Sequence, residues 1–152
     1  MKTARLFLYS AAVILVFTSV AKFVSSAGSA KILLQRDPIT GFQFENLFRI
    51  VGGIEVVVAL VCIFSKRILL SAGLVAWLAT SFLAYRTGLV AVGYHRPCSC
   101  LGNLTDALHI PPQTADTAMK IILAYLLIDS YATLFWLWRQ RKKAIPASLP
   151  AQ

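Results

Sequence analysis

Two thiols one residue apart are the clearest chemistry in this chain. They stand in His95-Arg96-Pro97-Cys98-Ser99-Cys100-Leu101-Gly102, a short polar stretch between long apolar runs. A cysteine pair can pass two electrons by thiol–disulfide exchange, or it can fasten a loop. Good disulfide geometry needs a Cβ separation of about 3.8 Å and a dihedral near 90°. A ring closed across one residue strains that geometry and makes the bond more reducible. Strain suits exchange better than a permanent staple. His95 and Arg96 precede the pair, and positive charge there favours the thiolate. Pro97 holds Arg96 extended, and Gly102 permits a turn soon after. The residues leave three readings of Cys98 and Cys100 open: an exchanging pair, a static fastener, or two inert thiols. A metal site is not expected, because four ligands are usual and His109 is the only imidazole besides His95.

Acids inside apolar runs come next. Glu55 lies in Leu47–Phe64 and Asp129 in Met119–Trp138. A carboxylate within a membrane span is costly, and is by default a candidate functional group. On a helix, Glu55 shares a face with Gly52, Ala59 and Cys62, and small residues there let another helix approach. Its candidate partners are Lys22, near the end of the first apolar run, and Arg49, nearly two turns earlier on its own helix. Tyr125 and Thr133 flank Asp129 at four residues on either side. Both acids can serve as polar glue between helices, as a proton relay, or as the lining of a quinone-sized pocket. Cys62 sits in an apolar run and reads as an inert buried thiol.

The elements that must position these groups follow from the hydropathy pattern. The chain has 152 residues, 58% hydrophobic and 14% charged, against about 25% charged in a soluble domain. Its apolar runs, at about 6–24, 47–64, 68–85 and 119–138, each approach the roughly 20 residues a bilayer requires of a helix. The third can continue through Arg86 to Tyr94. The expected fold is all-α: one integral membrane four-helix bundle over residues 1–143, followed by an unstructured tail at 144–152. Ser65-Lys66-Arg67 is so short a connection that the second and third helices must be antiparallel neighbours. Gly28, Asp37-Pro38 and Gly41 break helices and mark the first long loop, within which Ala30–Gln35 can form a short interfacial helix. Pro111-Pro112 is expected to block a helix in the second, with Thr114 or Asp116 capping the last. The rival reading of the first run is a cleaved signal peptide, with Ser25-Ser26-Ala27 as the cleavage region.

The formal charge of +9 favours orientation in anionic lipid over nucleic-acid binding, since no basic stripe with interleaved aromatics lies outside the apolar runs. Lys2, Arg5, Lys66, Arg67, Arg139, Arg141, Lys142 and Lys143 crowd into short segments on one side. The other side carries its cations diluted over two long loops. The positive-inside rule then places both termini in the cytoplasm, and both long loops, with Cys98 and Cys100, outside it. That side permits disulfides. The localisation expected is multi-pass in the cell (inner) membrane, with membrane lipid as one partner and a periplasmic thiol or disulfide protein as another.

Four spans with Cys-x-Cys-x-Gly in the loop before the last resemble the MauE family, within the wider MauE/DoxX group of redox-associated membrane proteins. The motif here is Pro97-Cys98-Ser99-Cys100-Leu101-Gly102. Ala21-Lys22-Phe23 and Gly52-Gly53-Ile54-Glu55 are similar to further patterns of that group, and the resemblance covers roughly Arg5 to Trp138. One departure is Ser99, where the family more commonly has glycine. The resemblance implies a four-helix bundle tied to disulfide or electron-transfer chemistry outside the cytoplasm. In the family's namesake setting it implies maturation of a disulfide-containing subunit of methylamine dehydrogenase. Under this reading Cys98 and Cys100 are the reactive residues, with His95, Arg96, Glu55, Lys22 and Asp129 in support. A quinone enters by analogy with other membrane thiol oxidoreductases, and no residue is assigned to it. Three rival readings stand beside it: a non-catalytic assembly or anchoring subunit, a DoxX-like subunit of a quinone-linked oxidoreductase, and a small transporter using Glu55 and Asp129.

Overall fold

The protein was analysed as a computed structural model that describes residues 2–27, 36–93 and 111–144. Four helices occupy almost all of these: α1 (Lys2–Ser26), α2 (Phe44–Phe64), α3 (Ile68–Ala91) and α4 (Pro112–Ala144). Each is long and apolar enough to cross a membrane. The fold is all-α, and the chain is a multi-pass membrane protein. The expected interfacial helix at Ala30–Gln35, the cysteine pair with His95, Arg96 and His109, and the tail from 145 onward lie outside the described residues.

Local sequence explains where the helices begin and end. α2 starts at Phe44, a turn before its apolar run, because Phe44 and Phe48 are buried together with Leu47 against them. Ser65 leaves the helix in an extended conformation after donating its N–H to the Val61 carbonyl at 2.9 Å. Three residues later, at Ile68, α3 begins, so α2 and α3 are neighbours.

The proline pair corrects one expectation. It does not block a helix: Pro112 is the first residue of α4. A proline at that position loses nothing, since its missing N–H would have had no partner within the helix. Pro111 takes the capping place, its carbonyl accepting from the amides of Thr114 at 3.0 Å and Ala115 at 3.3 Å. Thr114 and Asp116 therefore belong to the first turns of α4 rather than to its cap.

The core is built from small and branched side chains. Ala11, Ala12 and Leu15 of α1 meet Val58 and Ala59 of α2, Ala72, Val75 and Ala79 of α3, and Leu126 of α4. In lipid the apolar effect does not drive helices together, so close backbone approach across small residues supplies the contact. α1 is the central helix: half of its span is buried inside the protein, against 17% for α4. The outward faces carry large apolar residues such as Leu6, Phe17, Val57, Trp77 and Ile128, which suits a surface turned to acyl chains. Two hydroxyl pairs tie α4 to the others, Ser10 with Tyr125 at 2.7 Å and Thr80 with Tyr131 at 2.9 Å.

Candidate functional site

α1 and α2 run antiparallel, and their contact fixes the central site. Gly52 leaves room where they cross: a β-carbon there would lie 3.3 Å from Phe23 and 3.7 Å from the β-carbon of Lys22. The Ser19 hydroxyl donates to the Gly52 carbonyl at 3.0 Å. Side chains on a helix lean toward its N-terminus. Lys22 therefore leans inward from the end of α1, while Glu55, one turn past Gly52 on α2, leans back toward it. They meet between the helices. The Lys22 ammonium is 2.7 Å from one Glu55 oxygen and 2.8 Å from the other.

This ion pair is sealed. The Lys22 side chain is 6% exposed and that of Glu55 1%. The Phe82 ring of α3 stands 5.5 Å from the ammonium. Three helices thus surround it. At 1.5 Å per residue, Glu55 falls about 17 Å along a helix of about 30 Å, close to the middle of the span. Of the two partners considered for Glu55, the fold selects Lys22. Arg49 instead bridges Glu45 at 2.7 Å on its own helix. Cys62 is buried two turns beyond Glu55 on the same face.

A second polar layer lies at the end of the bundle where α1 ends and α4 begins. Arg36–Gln43 forms a tight turn there, closed by the Asp37 amide on the Phe42 carbonyl at 2.8 Å. Gly41 adopts φ +72°, which a β-carbon would oppose. The Asp37 carboxylate accepts from the Thr40 amide at 2.9 Å and the Thr40 hydroxyl at 2.5 Å, and from the Tyr85 hydroxyl of α3 at 2.9 Å. Burial raises its pKa, but the donors from Thr40, Tyr85 and the Ile39 backbone outweigh this and leave the carboxyl below its ordinary value. Gly88 helps the turn dock, since a β-carbon there would come 3.0 Å from the Ile39 side chain. Sequence reasoning took Asp37 only as a helix breaker. The signal was in Asp37-Pro38-Ile39-Thr40-Gly41, because an aspartate before a turn commonly caps its own backbone.

Arg86 of α3 bridges Asp116 of α4, which also holds Lys120 at 2.7 Å. This clamp joins the two helices at the root of the segment that carries Cys98 and Cys100. Asp129 stands elsewhere, half-buried in a groove of about 350 Å³ between α1 and α4, with Thr3, Phe7, Thr133 and Trp136. The fold therefore unites Lys22 with Glu55 and leaves Asp129 apart from both. Among the described residues no group of histidines, cysteines and acids is arranged to hold a metal ion.

Fold and site together define a four-span membrane protein with an ion pair sealed inside the bundle. The chain belongs to the MauE family: residues 2–139 match the family described as methylamine utilisation protein MauE. No curated protein matches the chain, and no solved structure does.

Proposed function

We propose that this chain is a redox-associated protein of the cell (inner) membrane whose Cys98–Cys100 pair exchanges disulfides with a partner outside the cytoplasm. The observation that carries the reading is the Cys-x-Cys-x-Gly motif between the third and fourth spans of a MauE family member. Support comes from the clamp at the root of that segment, Arg86 to Asp116, and from the docked Arg36–Gln43 turn at the same end of the bundle. Density of Lys and Arg in the short segments supports cytoplasmic termini, and with them a pair on the disulfide-permissive side.

The exchange balances without a further reagent. In the oxidising direction a partner thiolate attacks one sulfur of the Cys98–Cys100 disulfide, forming a mixed disulfide and releasing the other sulfur as thiolate. A second partner thiolate then attacks its own sulfur in that mixed bond. The partner gains a disulfide, and this chain leaves with two thiols, two electrons and two protons richer. In the reducing direction every step reverses. His95 and Arg96 favour the thiolate form beside the pair. Lys22 and Glu55 serve as a lock between α1 and α2 within the bundle. Maturation of a disulfide-containing periplasmic protein is the process this chemistry fits, with methylamine utilisation as the setting suggested by the family name.

Trapping tests this directly. With Cys98→Ser and Cys100→Ser expressed separately, one variant is expected to retain a covalent partner that reductant releases, and the double variant none. Full function of both single variants, with no adduct in either, would overturn the exchange and favour a disulfide that only shapes the loop.

A further inference from the structure

We propose that the groove between the first turns of α1 and the second half of α4 binds the headgroup of a lipid carrying a primary ammonium, of the phosphatidylethanolamine class, with Asp129 as its anionic contact. This assignment is independent of the thiol chemistry. The groove is open to the surface, holds about 350 Å³ and is lined by Thr3, Ala4, Phe7, Asp129, Thr133 and Trp136, among others.

Charge selects the occupant. Among the described residues Asp129 has no hydrogen-bond or ion-pair partner, whereas Glu55, Glu45 and Asp116 each have a cation. Described cations along α4 are engaged elsewhere: Lys120 bridges Asp116, Arg139 lies over the Phe135 ring and Lys142 over the Trp138 ring. A carboxylate in a spanning helix is costly unless something pairs with it. A membrane-embedded groove is filled by lipid, so the cation is most simply supplied by a headgroup. Arg5 follows Ala4 and is exposed, which places a cation at the same end for the adjoining phosphate. The apolar outer faces of α1 and α4, with Leu6 and Ile128 exposed, suit the acyl chains. A phosphatidylglycerol headgroup brings no cation to Asp129. A quaternary ammonium brings charge without an N–H to donate.

The test compares lipids on the full-length protein, purified in detergent, stripped of lipid and titrated separately with phosphatidylethanolamine, phosphatidylglycerol and phosphatidylcholine. Bound lipid is counted by native mass spectrometry. The wild type is expected to prefer phosphatidylethanolamine over phosphatidylglycerol by about tenfold or more, the worth of one charge-assisted hydrogen bond. Asp129→Asn is expected to bring that ratio near one, and Asp129→Glu to keep part of it. Equal retention of the two lipids by the wild type would overturn the proposal and needs no variant to fold. An unchanged ratio in Asp129→Asn, with an unchanged thermal melt, would overturn it as well. So would self-association of the wild type that Asp129→Asn abolishes, because a second copy would then fill the groove.

Discussion

Glu55 and Asp129 look alike as residues in a sequence. Each is a single acid in an apolar run, with small or polar residues at helical spacing. In the fold they diverge. Glu55 is sealed at the meeting of three helices, with both oxygens on the Lys22 ammonium. Asp129 stands half-buried in an open groove on the least buried helix, with no partner among the described residues. An acid on a central helix must be neutralised from within. An acid on a peripheral helix is left for whatever surrounds the bundle. The position of the helix, not the residue, decides between a structural charge and an available one.

The strongest way to break this contrast is to remove one member of the sealed pair. Lys22→Met or Glu55→Leu alone strands a buried charge, and each is expected to cost about 3–5 kcal/mol, read as a large fall in the detergent melting temperature. The double variant Lys22→Met/Glu55→Leu should recover most of that loss, because neither charge is stranded. If the double variant remains as unstable as the singles, the pair is more than a lock. Asp129→Asn breaks no ion pair among the described residues and should lower the melt far less than either single variant of the sealed pair.

Next in size is the close approach that lets the pair form. Gly52→Leu pushes a side chain into Phe23 and Lys22 and is expected to cost about 1–3 kcal/mol by overpacking. An unchanged melt would show that α1 and α2 can separate without breaking the Lys22–Glu55 contact.

The polar layer at the end of the bundle offers smaller, pH-dependent effects. Asp37 is held below its ordinary carboxyl value by its donors, so its contribution is complete above the unfolded value of about 3.9. It is lost as pH falls through the lower folded value. Protection of the Arg36–Gln43 amides, taken relative to the intrinsic exchange rate at each pH, should therefore be full at neutral pH and fall only in strong acid. Tyr85→Phe removes one donor and is expected to cost about 1 kcal/mol. Arg86→Gln breaks a part-exposed bridge and is expected to cost about 1 kcal/mol or less. Its sharper readout is faster alkylation of Cys98 and Cys100 under reducing conditions, if the clamp steadies their segment.

Much of this was legible in the chain itself. Hydropathy gave four spans, because a bilayer forces every backbone polar group to be satisfied within its own helix. That constraint is local, so it can be read from consecutive residues. The short Ser65–Arg67 connection likewise dictated that α2 and α3 pack as neighbours. The cysteine motif and the two membrane acids stood out because each is rare in its setting. Other features needed the third dimension. Lys22 and Arg49 were both open to Glu55 in sequence, and only the antiparallel register of α1 on α2, with both side chains leaning toward their own N-termini, selected Lys22. Asp37 acquired its role when the Arg36–Gln43 turn met Tyr85 on a distant helix. Pro112 began a helix where its ring suggested a stop, because a proline's effect depends on whether its position needs an N–H. Periodicity and apolarity are properties of one segment. Which charge is sealed and which is left open depends on what packs against it, and that was decided only when four helices came together.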